Sequence, residues 1–229
     1  MIVTIDGPAG AGKSSVARNL AVTLGFRFLD TGAMYRAITL GAIRKEIEFD
    51  NQASLIAYAQ KATIRWDQDK LLLDDGDVTE QIRSPIVTDS IRRIADIAEI
   101  RTALSDQQRR IAAGDNIVTE GRDQGTEVFP EAECKLFLTA SPLERAKRRH
   151  RQLVELGRPI PLHDILTAQE RRDEHDRQRP LGALRPSEDA ITINSDGMTA
   201  EDVLQEMLNA VHQVIESRQL NISTAPRAS

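Results

Sequence analysis

Cysteine and aromatic residues are scarce in this chain of 229 residues. Its single cysteine, Cys134, excludes an intramolecular disulfide and favours a reducing compartment. No paired base is evident beside Cys134 in the sequence, so we expect a buried structural thiol and not a nucleophile. Aromatic residues make up only 3% of the chain, which argues against a base-stacking platform for single-stranded nucleic acid.

Long apolar runs are absent as well. No stretch has the roughly 20 apolar residues that a membrane-spanning helix needs, and the first residues enter a strand pattern directly, so we expect no signal peptide. These absences predict a cytoplasmic protein with no membrane partner. The length, with 40% hydrophobic and 28% charged residues, is typical of one α/β domain with insertions.

The net charge of −5 is unevenly distributed along the chain. Residues 145–179 hold ten Lys or Arg against six Asp or Glu, whereas the rest of the chain is acidic. A basic segment in an acidic chain favours a local anionic ligand over a nucleic-acid partner. Taken singly, most of these arginines are equally consistent with a charged helix face in water.

A glycine-rich motif is the most informative feature that is present. The sequence G-P-A-G-A-G-K-S spans residues 7–14, after an apolar run at residues 2–5 and before a helical pattern that starts at Val16. Such a loop points successive backbone N–H groups at a phosphate, and the helix adds the positive end of its dipole. Lys13 would reach the β- and γ-phosphates, and the Ser14 hydroxyl would bind Mg²⁺. The motif predicts a nucleoside triphosphate ligand, in preference to a glycine-rich turn that binds nothing.

Short apolar runs alternate with helical patterns along the rest of the chain. Four further runs predict buried strands at residues 26–29, 117–119, 136–138 and 191–193. Helical patterns cover about residues 34–43, 97–112 and 200–215, and another follows Ser141-Pro142. This alternation predicts an α/β fold, a parallel five-stranded sheet with helices on both faces.

Two segments interrupt the alternation. Residues 63–82 predict a small antiparallel insert with a turn at Asp67-Gln68-Asp69. The basic segment predicts two charged helices around residues 157–161. The polar residues 221–229 predict a disordered tail.

Three polar clusters accompany the glycine-rich loop, at residues 30–36, 120–123 and 171–179. The first two directly follow predicted strands. Each cluster alone is a weak signal, but together with the loop they indicate one phosphate-rich site. With the loop, the three motifs resemble those of bacterial cytidylate kinases, a family of nucleoside monophosphate kinases. The resemblance covers residues 2 to about 217, and G-R-D-x-G-T-x-V-F-P is its most specific element. The motifs that carry it lie at residues 7–15, 29–36, 120–130 and 176–179.

The resemblance implies a P-loop kinase fold in a single domain over residues 1–220. It places an antiparallel insert that binds the nucleoside monophosphate at about residues 45–95 and a mobile lid at about residues 148–180. The residues assigned to ATP are Gly7, Pro8, Ala9, Gly10, Ala11, Gly12, Lys13, Ser14, Ser15, Arg145 and Arg149. Those assigned to CMP are Thr31, Tyr35, Arg36, Arg101, Arg122, Asp123, Arg172, Asp176 and Arg179. The catalytic residues would be Lys13, Arg122, Asp123 and Arg179, with Ser14 as the metal ligand.

The implied roles follow the chemistry of each side chain. Arg36 and Arg122 would clamp the monophosphate, because a guanidinium offers the bidentate fork that phosphate oxygens accept. Arg172 and Asp176 would hold the ribose. Arg179 would contact the phosphates during transfer.

The base would be recognised by Asp123 and Arg101. A carboxylate can accept from the cytosine amino group, whereas uracil presents an oxygen there and would leave the charge of Asp123 unpaired. Arg101 can donate to N3 or O2 of cytosine. Without the resemblance, Arg101 is better interpreted as an ordinary helix-surface arginine.

Two positions depart from the family pattern. Arg92 stands where the family carries a small hydroxyl residue against the base, which leaves selectivity against UMP open, unless Ser90 takes that place. His175 replaces an arginine and so removes a permanent cation from the predicted lid. Glu120 stands where an aspartate is also common. We expect this difference to have little effect, because either carboxylate could order Mg²⁺ through water.

The predicted reaction is Mg²⁺-assisted transfer of phosphate from ATP to CMP or dCMP, by a monomer acting in pyrimidine metabolism. Kinases for UMP, AMP, dTMP or a small metabolite are the nearest alternatives. A nucleotide-driven switch that acts on a protein partner is a more distant one, because the sequence has no extra partner-binding domain.

Overall fold

A computed structural model describes residues 1–67 and 70–219 of the chain. The strands are β1 (Ile2–Asp6), β2 (Arg27–Asp30), β3 (Ile64–Asp67), β4 (Lys70–Leu73), β5 (Gly76–Asp77), β6 (Ile117–Gly121), β7 (Cys134–Thr139) and β8 (Ile191–Asn194). The helices are α1 (Lys13–Leu24), α2 (Thr31–Arg44), α3 (Gln52–Lys61), α4 (Pro85–Ala95), α5 (Ala98–Ala112), α6 (Pro142–Glu155), α7 (Leu162–Gln178) and α8 (Ala200–Ser217). A 3₁₀ turn covers Gln81–Arg83, and a π-helical turn covers Gln124–Val128.

Five strands form one sheet in the order β2-β6-β1-β7-β8. Strand β1 pairs in parallel with both β6 and β7, and β7 pairs in parallel with β8. All five apolar runs of the sequence are therefore strands of this sheet, as predicted. The register aligns Asp6 with Gly121, so the carboxyl ends of β1 and β6 lie side by side.

Helices α1 and α8 pack on the sheet through their apolar stripes. Val16 and Leu20 of α1 share one core with Met207 and Val211 of α8 and with residues of β1 and β7. Gly25, in the left-handed region, ends α1 by donating to carbonyls of its last turn. This core also holds Cys134, which is buried. The expected buried thiol is confirmed, and burial raises its pKa to about 12.

Contacts between Cα atoms divide the chain into two compact units. The larger unit comprises residues 1–29 together with the chain from residue 114 onward, and the smaller unit comprises residues 30–113. The larger unit contains the parallel sheet, α1, α6, α7 and α8. It includes the predicted charged helix pair, α6 and α7, which pack on each other through Ala146, Leu153 and Ile165.

The smaller unit contains helices α2 to α5 and a three-stranded antiparallel sheet in the order β3-β4-β5. The predicted antiparallel insert is thus confirmed. The predicted turn includes residues 68 and 69, which lie outside the described residues, as does the predicted disordered tail. Helices α3 and α4 are additions that the sequence analysis did not predict.

Membrane-spanning candidates are absent from the part of the chain that the structure describes, because no helix there is both long and apolar enough.

Gly7, the first residue after β1, packs too closely for a side chain. A Cβ atom at this position would lie 2.0 Å from the carbonyl oxygen of Leu138 in β7. The φ of Gly7, +148°, also disfavours other residues. We expect Gly7→Ala to lower the free energy of unfolding by about 3 kcal/mol or more, from backbone overlap added to strain.

Gly114→Ala is the matched control, because Gly114 has a φ of +81° with nothing within 4 Å of the added Cβ. It should cost about 1–2 kcal/mol, the strain of the left-handed backbone alone. Urea unfolding of both variants measures the difference. Equal losses would contradict the close approach of β7 to Gly7.

Candidate active site

The glycine-rich loop connects β1 to α1 in the larger unit. Gly7, Gly10 and Gly12 all have positive φ values, of 148°, 78° and 94°, so the loop turns sharply at three points that disfavour other residues. Gly12 is the N-cap of α1. The loop therefore ends at the positive end of a twelve-residue helix, which is the geometry of an anion site.

Lys13 is a buried cation at the end of this loop. Its side chain is only 5% exposed, and its Nζ donates to the carbonyl oxygen of Pro8 at 2.9 Å. Burial is the main cause that lowers the pKa of Lys13 to about 7; the positive charge of Arg122 acts in the same direction, whereas Glu120 and Asp6 oppose it. A phosphate at the loop would add the negative charge that favours the protonated lysine.

Ser14 and Glu120 form the oxygen-rich side of the site. The Ser14 hydroxyl donates to Oε1 of Glu120 at 2.9 Å, and Glu120 is 6% exposed near the end of β6. A hydroxyl and a carboxylate are hard oxygen donors of the kind that Mg²⁺ accepts beside phosphate oxygens. The residues present therefore fit the metal ion that the sequence predicted at Ser14.

Asp6 connects the end of β1 to the chain that follows β6. Its carboxylate accepts hydrogen bonds from the backbone N–H groups of Gln124 at 2.8 Å and Gly125 at 2.7 Å. Burial raises the pKa of Asp6 to about 7, and these two hydrogen bonds oppose that rise. Asp6 thus holds the segment that carries Arg122 and Asp123, and Asp123 is itself only 5% exposed.

Asp176 of α7 joins two of the predicted phosphate-binding arginines. Its Oδ2 lies 3.1 Å from Nε of Arg122, and its Oδ1 lies 2.6 Å from Nη2 of Arg179. Burial tends to raise the pKa of Asp176, but Arg122, Arg179 and Arg172 outweigh burial and hold it below its usual value. The carboxylate therefore organises three positive charges in the larger unit.

The arginines of α6 differ in what they contact. Arg145 is buried, and its Nη1 donates to the carbonyl oxygen of Ala9 at 2.8 Å. Arg148 reaches the carbonyl oxygen of Ala11 at 3.4 Å and donates to Ser195. Arg149 is exposed and donates to Gln152 of its own helix. The structure thus brings Arg145 and Arg148 to the loop and places Arg149 on the surface.

The predicted residues of the smaller unit lie on α2 and α5. Thr31 begins α2 and is buried, directly after the N-cap Asp30. The guanidinium of Arg101, 4% exposed, lies 5.4 Å from the centre of the Tyr35 ring, so two residues that were separately assigned to CMP lie in contact. Arg36 Nη1 donates to the Thr88 hydroxyl at 2.8 Å.

The two departures from the family pattern lie on exposed helix faces. Arg92 is exposed on α4, and His175 is exposed on α7. Sequence reasoning did not assign a role to Asp6, Asp173 or Ser195, which all contact the loop or its neighbours. The signal for Asp6 was its place immediately before the glycine-rich loop. Asp173 could have been considered because it lies three residues before Asp176 on the same predicted helix.

A parallel sheet whose first strand ends in such a loop, followed by a buried lysine, is the arrangement of P-loop nucleotide-binding proteins. A solved gluconokinase from Sinorhizobium meliloti shares this fold with a TM-score of 0.50 and 16% identity, over 95% of this chain and 94% of that one. The family model for cytidylate kinase matches residues 3–213. The chain therefore belongs to the cytidylate kinase family.

Named relatives agree with this placement. A protein from Rhodopirellula baltica named cytidylate kinase is 53% identical over 98% of both chains. Another cytidylate kinase, from Caldanaerobacter subterraneus subsp. tengcongensis, is 42% identical over 92% of this chain and 94% of its own.

Proposed function

We propose that the protein transfers the γ-phosphoryl group of ATP to CMP and dCMP, producing CDP and dCDP in pyrimidine nucleotide metabolism. The observation that carries this proposal is the buried Lys13 beside the Ser14–Glu120 pair, at a loop shaped for phosphates. Membership of the cytidylate kinase family supports the choice of acceptor. We propose further that the protein is cytoplasmic, on the sequence features described above, and that it is a monomer, on the family resemblance alone.

The donor would be held at the glycine-rich loop. Residues 7–15 would wrap the ATP phosphates. Arg145 would assist, as would Arg149 in the proposed lid at about residues 148–180. Mg²⁺ would be held by Ser14, with Glu120 ordering its water ligands, and when bound it neutralises charge on the transferred phosphate. Lys13 would contact the phosphates as a cation, which its burial makes more effective than in water.

Each unit carries residues that the family resemblance assigns to the acceptor. Within the smaller unit, which includes the proposed insert at about residues 45–95, we assign Arg36 to the monophosphate and Arg101 to the base. Thr31 and Tyr35 would line the same pocket. Within the larger unit, we assign Arg122 to the monophosphate and Asp123 to the amino group of cytosine.

Two charged side chains of α7 and one at its C-cap would complete acceptor binding and transfer. Arg172 and Asp176 are assigned to the ribose, and Arg179 to the phosphates during transfer. Asp176 lies 2.6 Å from Arg179, the C-cap residue of α7, so the two groups would act together at the end of that helix.

Transfer itself would need positioning more than proton chemistry. The attacking group is a phosphate oxygen that is already negatively charged, so no covalent intermediate and no strong general base are required. The chain's contribution would be to align donor and acceptor, to neutralise charge with Lys13 and Arg179, and to exclude water.

UMP is the second candidate acceptor, and the exposed Arg92 is the observation that favours testing it. A guanidinium at a base-contacting position could donate to the O4 oxygen of uracil, which Asp123 would otherwise reject.

A coupled assay for ADP, with Mg-ATP and one acceptor at a time, tests the proposal. The acceptors are CMP, dCMP, UMP, AMP, GMP, dTMP and shikimate. We expect strong signals with CMP and dCMP and little with the rest, because cytosine offers an amino donor to Asp123 and acceptors to Arg101, whereas uracil and thymine present an oxygen in place of that amino group. UMP turned over as fast as CMP would overturn the base assignment, and a flat panel would overturn the acceptor class.

Binding of Mg-ATP should take up a proton at Lys13. The pKa of Lys13 is lowered from 10.5 to about 7 in the protein alone, so at pH 8 the side chain is mostly neutral. Contact with phosphates favours the charged form and raises this pKa. Uptake should therefore be large at pH 8 and should fade below pH 7, where Lys13 is already protonated.

Calorimetric titrations in two buffers of different ionisation enthalpy measure this uptake. Lys13→Met is the control, since it should still fold but should show a smaller uptake at pH 8. Identical uptake by the wild type and the variant would mean that Lys13 does not meet the phosphates.

A further inference from the structure

Asp173 is a buried carboxylate of α7 that the proposed reaction does not use. Its side chain is 1% exposed, and its Oδ2 lies 2.6 Å from Nη1 of Arg145. This contact is an ion pair that lacks hydrogen-bond alignment. The other oxygen, Oδ1, accepts a long hydrogen bond of 3.4 Å from the backbone N–H of Ala9.

Arg145 closes a ring around the same loop residue. It is 2% exposed, and the nitrogen that faces Asp173 also donates to the carbonyl oxygen of Ala9 at 2.8 Å, while Nε donates to Ala140 at 3.1 Å. The N–H of Ala9 thus contacts Asp173 and its C=O contacts Arg145. Both backbone polar groups of one phosphate-loop residue are held by one buried ion pair.

A second contact between α7 and the loop lies one helical turn away. A Cβ atom on Gly10 would lie 2.8 Å from Nε2 of Gln169 and 3.3 Å from Cβ of Arg145. The helix therefore rests on two successive loop residues, Ala9 and Gly10, through side chains four positions apart. Because Gly10 lacks a side chain, α7 can approach the loop this closely.

The same helix and its C-cap residue, Arg179, carry the charges that were assigned to acceptor binding and transfer. Arg172 directly precedes Asp173, and Asp176 and Arg179 follow it at three and six positions. Asp176 is in turn paired with Arg122. The position of α7 relative to Ala9 therefore decides where these charges stand relative to Lys13.

We propose that Asp173 is a positioning residue, which fastens α7 to the phosphate loop through Arg145 and Ala9 and so aligns Arg172, Asp176 and Arg179 with the transferred phosphate. This inference rests on the proposed phosphoryl transfer. Loss of the carboxylate would leave Arg145 as a buried cation without this counter-charge. Helix α7 would then shift, so transfer would slow and water would compete with CMP for the phosphoryl group.

The test compares Asp173→Asn with Glu174→Gln. Both changes replace a carboxylate by its amide, and the two residues are adjacent on α7. Glu174 is exposed, and among the contacts that the structure gives it pairs only with Arg177 and Gln178 of its own helix. CDP and ADP are quantified separately with Mg-ATP and CMP. The readouts are kcat for CDP and the share of ADP that is formed without CDP.

Asp173→Asn should lower kcat by about tenfold or more, as a displaced reacting group does, and should raise the share of ADP without CDP several-fold. Glu174→Gln should match the wild type within about twofold in both, because it leaves the loop contacts intact. A structural role alone would lower the folded fraction and leave that share unchanged. Such a result would overturn the inference.

If Asp173→Asn is too unstable to assay, the double variant Asp173→Asn with Arg145→Gln takes its place. Removing both partners avoids an unpaired buried charge, so this variant is expected to fold. Thermal unfolding verifies this, and the raised share of ADP without CDP should persist. A folded double variant with wild-type kcat and product ratio would overturn the inference. If wild type and Glu174→Gln both fail to make CDP, the proposed function fails first, and the inference falls with it.

Discussion

Burial of charge at the carboxyl edge of the parallel sheet is the constraint on which the rest of the structure depends. Asp6, Lys13 and Glu120 are each at most 6% exposed, and a charge removed from water is tolerated only with partners. The backbone N–H groups of Gln124 and Gly125 satisfy Asp6, and Ser14 donates to Glu120. Lys13 keeps a lowered pKa, which fits a group whose full counter-charge would arrive with a phosphate.

The architecture was predictable because each strand of the parallel sheet contains a short apolar run, and β1 and β6 are buried over most of their length. All five apolar runs became strands of one sheet, and the insert predicted at residues 63–82 contains the antiparallel sheet. Helix α4 was missed although Val87, Ile91 and Ile94 form its buried stripe, with Pro85 at the first turn. Helix α3 buries only Leu55, Tyr58 and Ala59, which is too short a stripe to identify a helix from one sequence.

The site was predictable where a local motif carries the chemistry, and less so where distant segments meet. The glycine-rich loop fixes Lys13 and Ser14 within a few residues of each other. Asp173, in contrast, contacts Ala9 across 164 positions, and no pattern near residue 173 specifies that contact. Neighbouring residues of α6 point about 100° apart, so whether Arg148 or Arg149 faces the loop depends on packing that composition does not reveal.

Direct transfer of the phosphoryl group is the central claim, and following a label tests it most directly. The protein is incubated with ATP labelled in the γ-phosphate, Mg²⁺ and CMP, and the labelled products are separated. Label that moves into CDP, with little in inorganic phosphate, is the expected result for a site that aligns two nucleotides and excludes water. Label found in inorganic phosphate, with no labelled CDP, would contradict phosphoryl transfer to CMP.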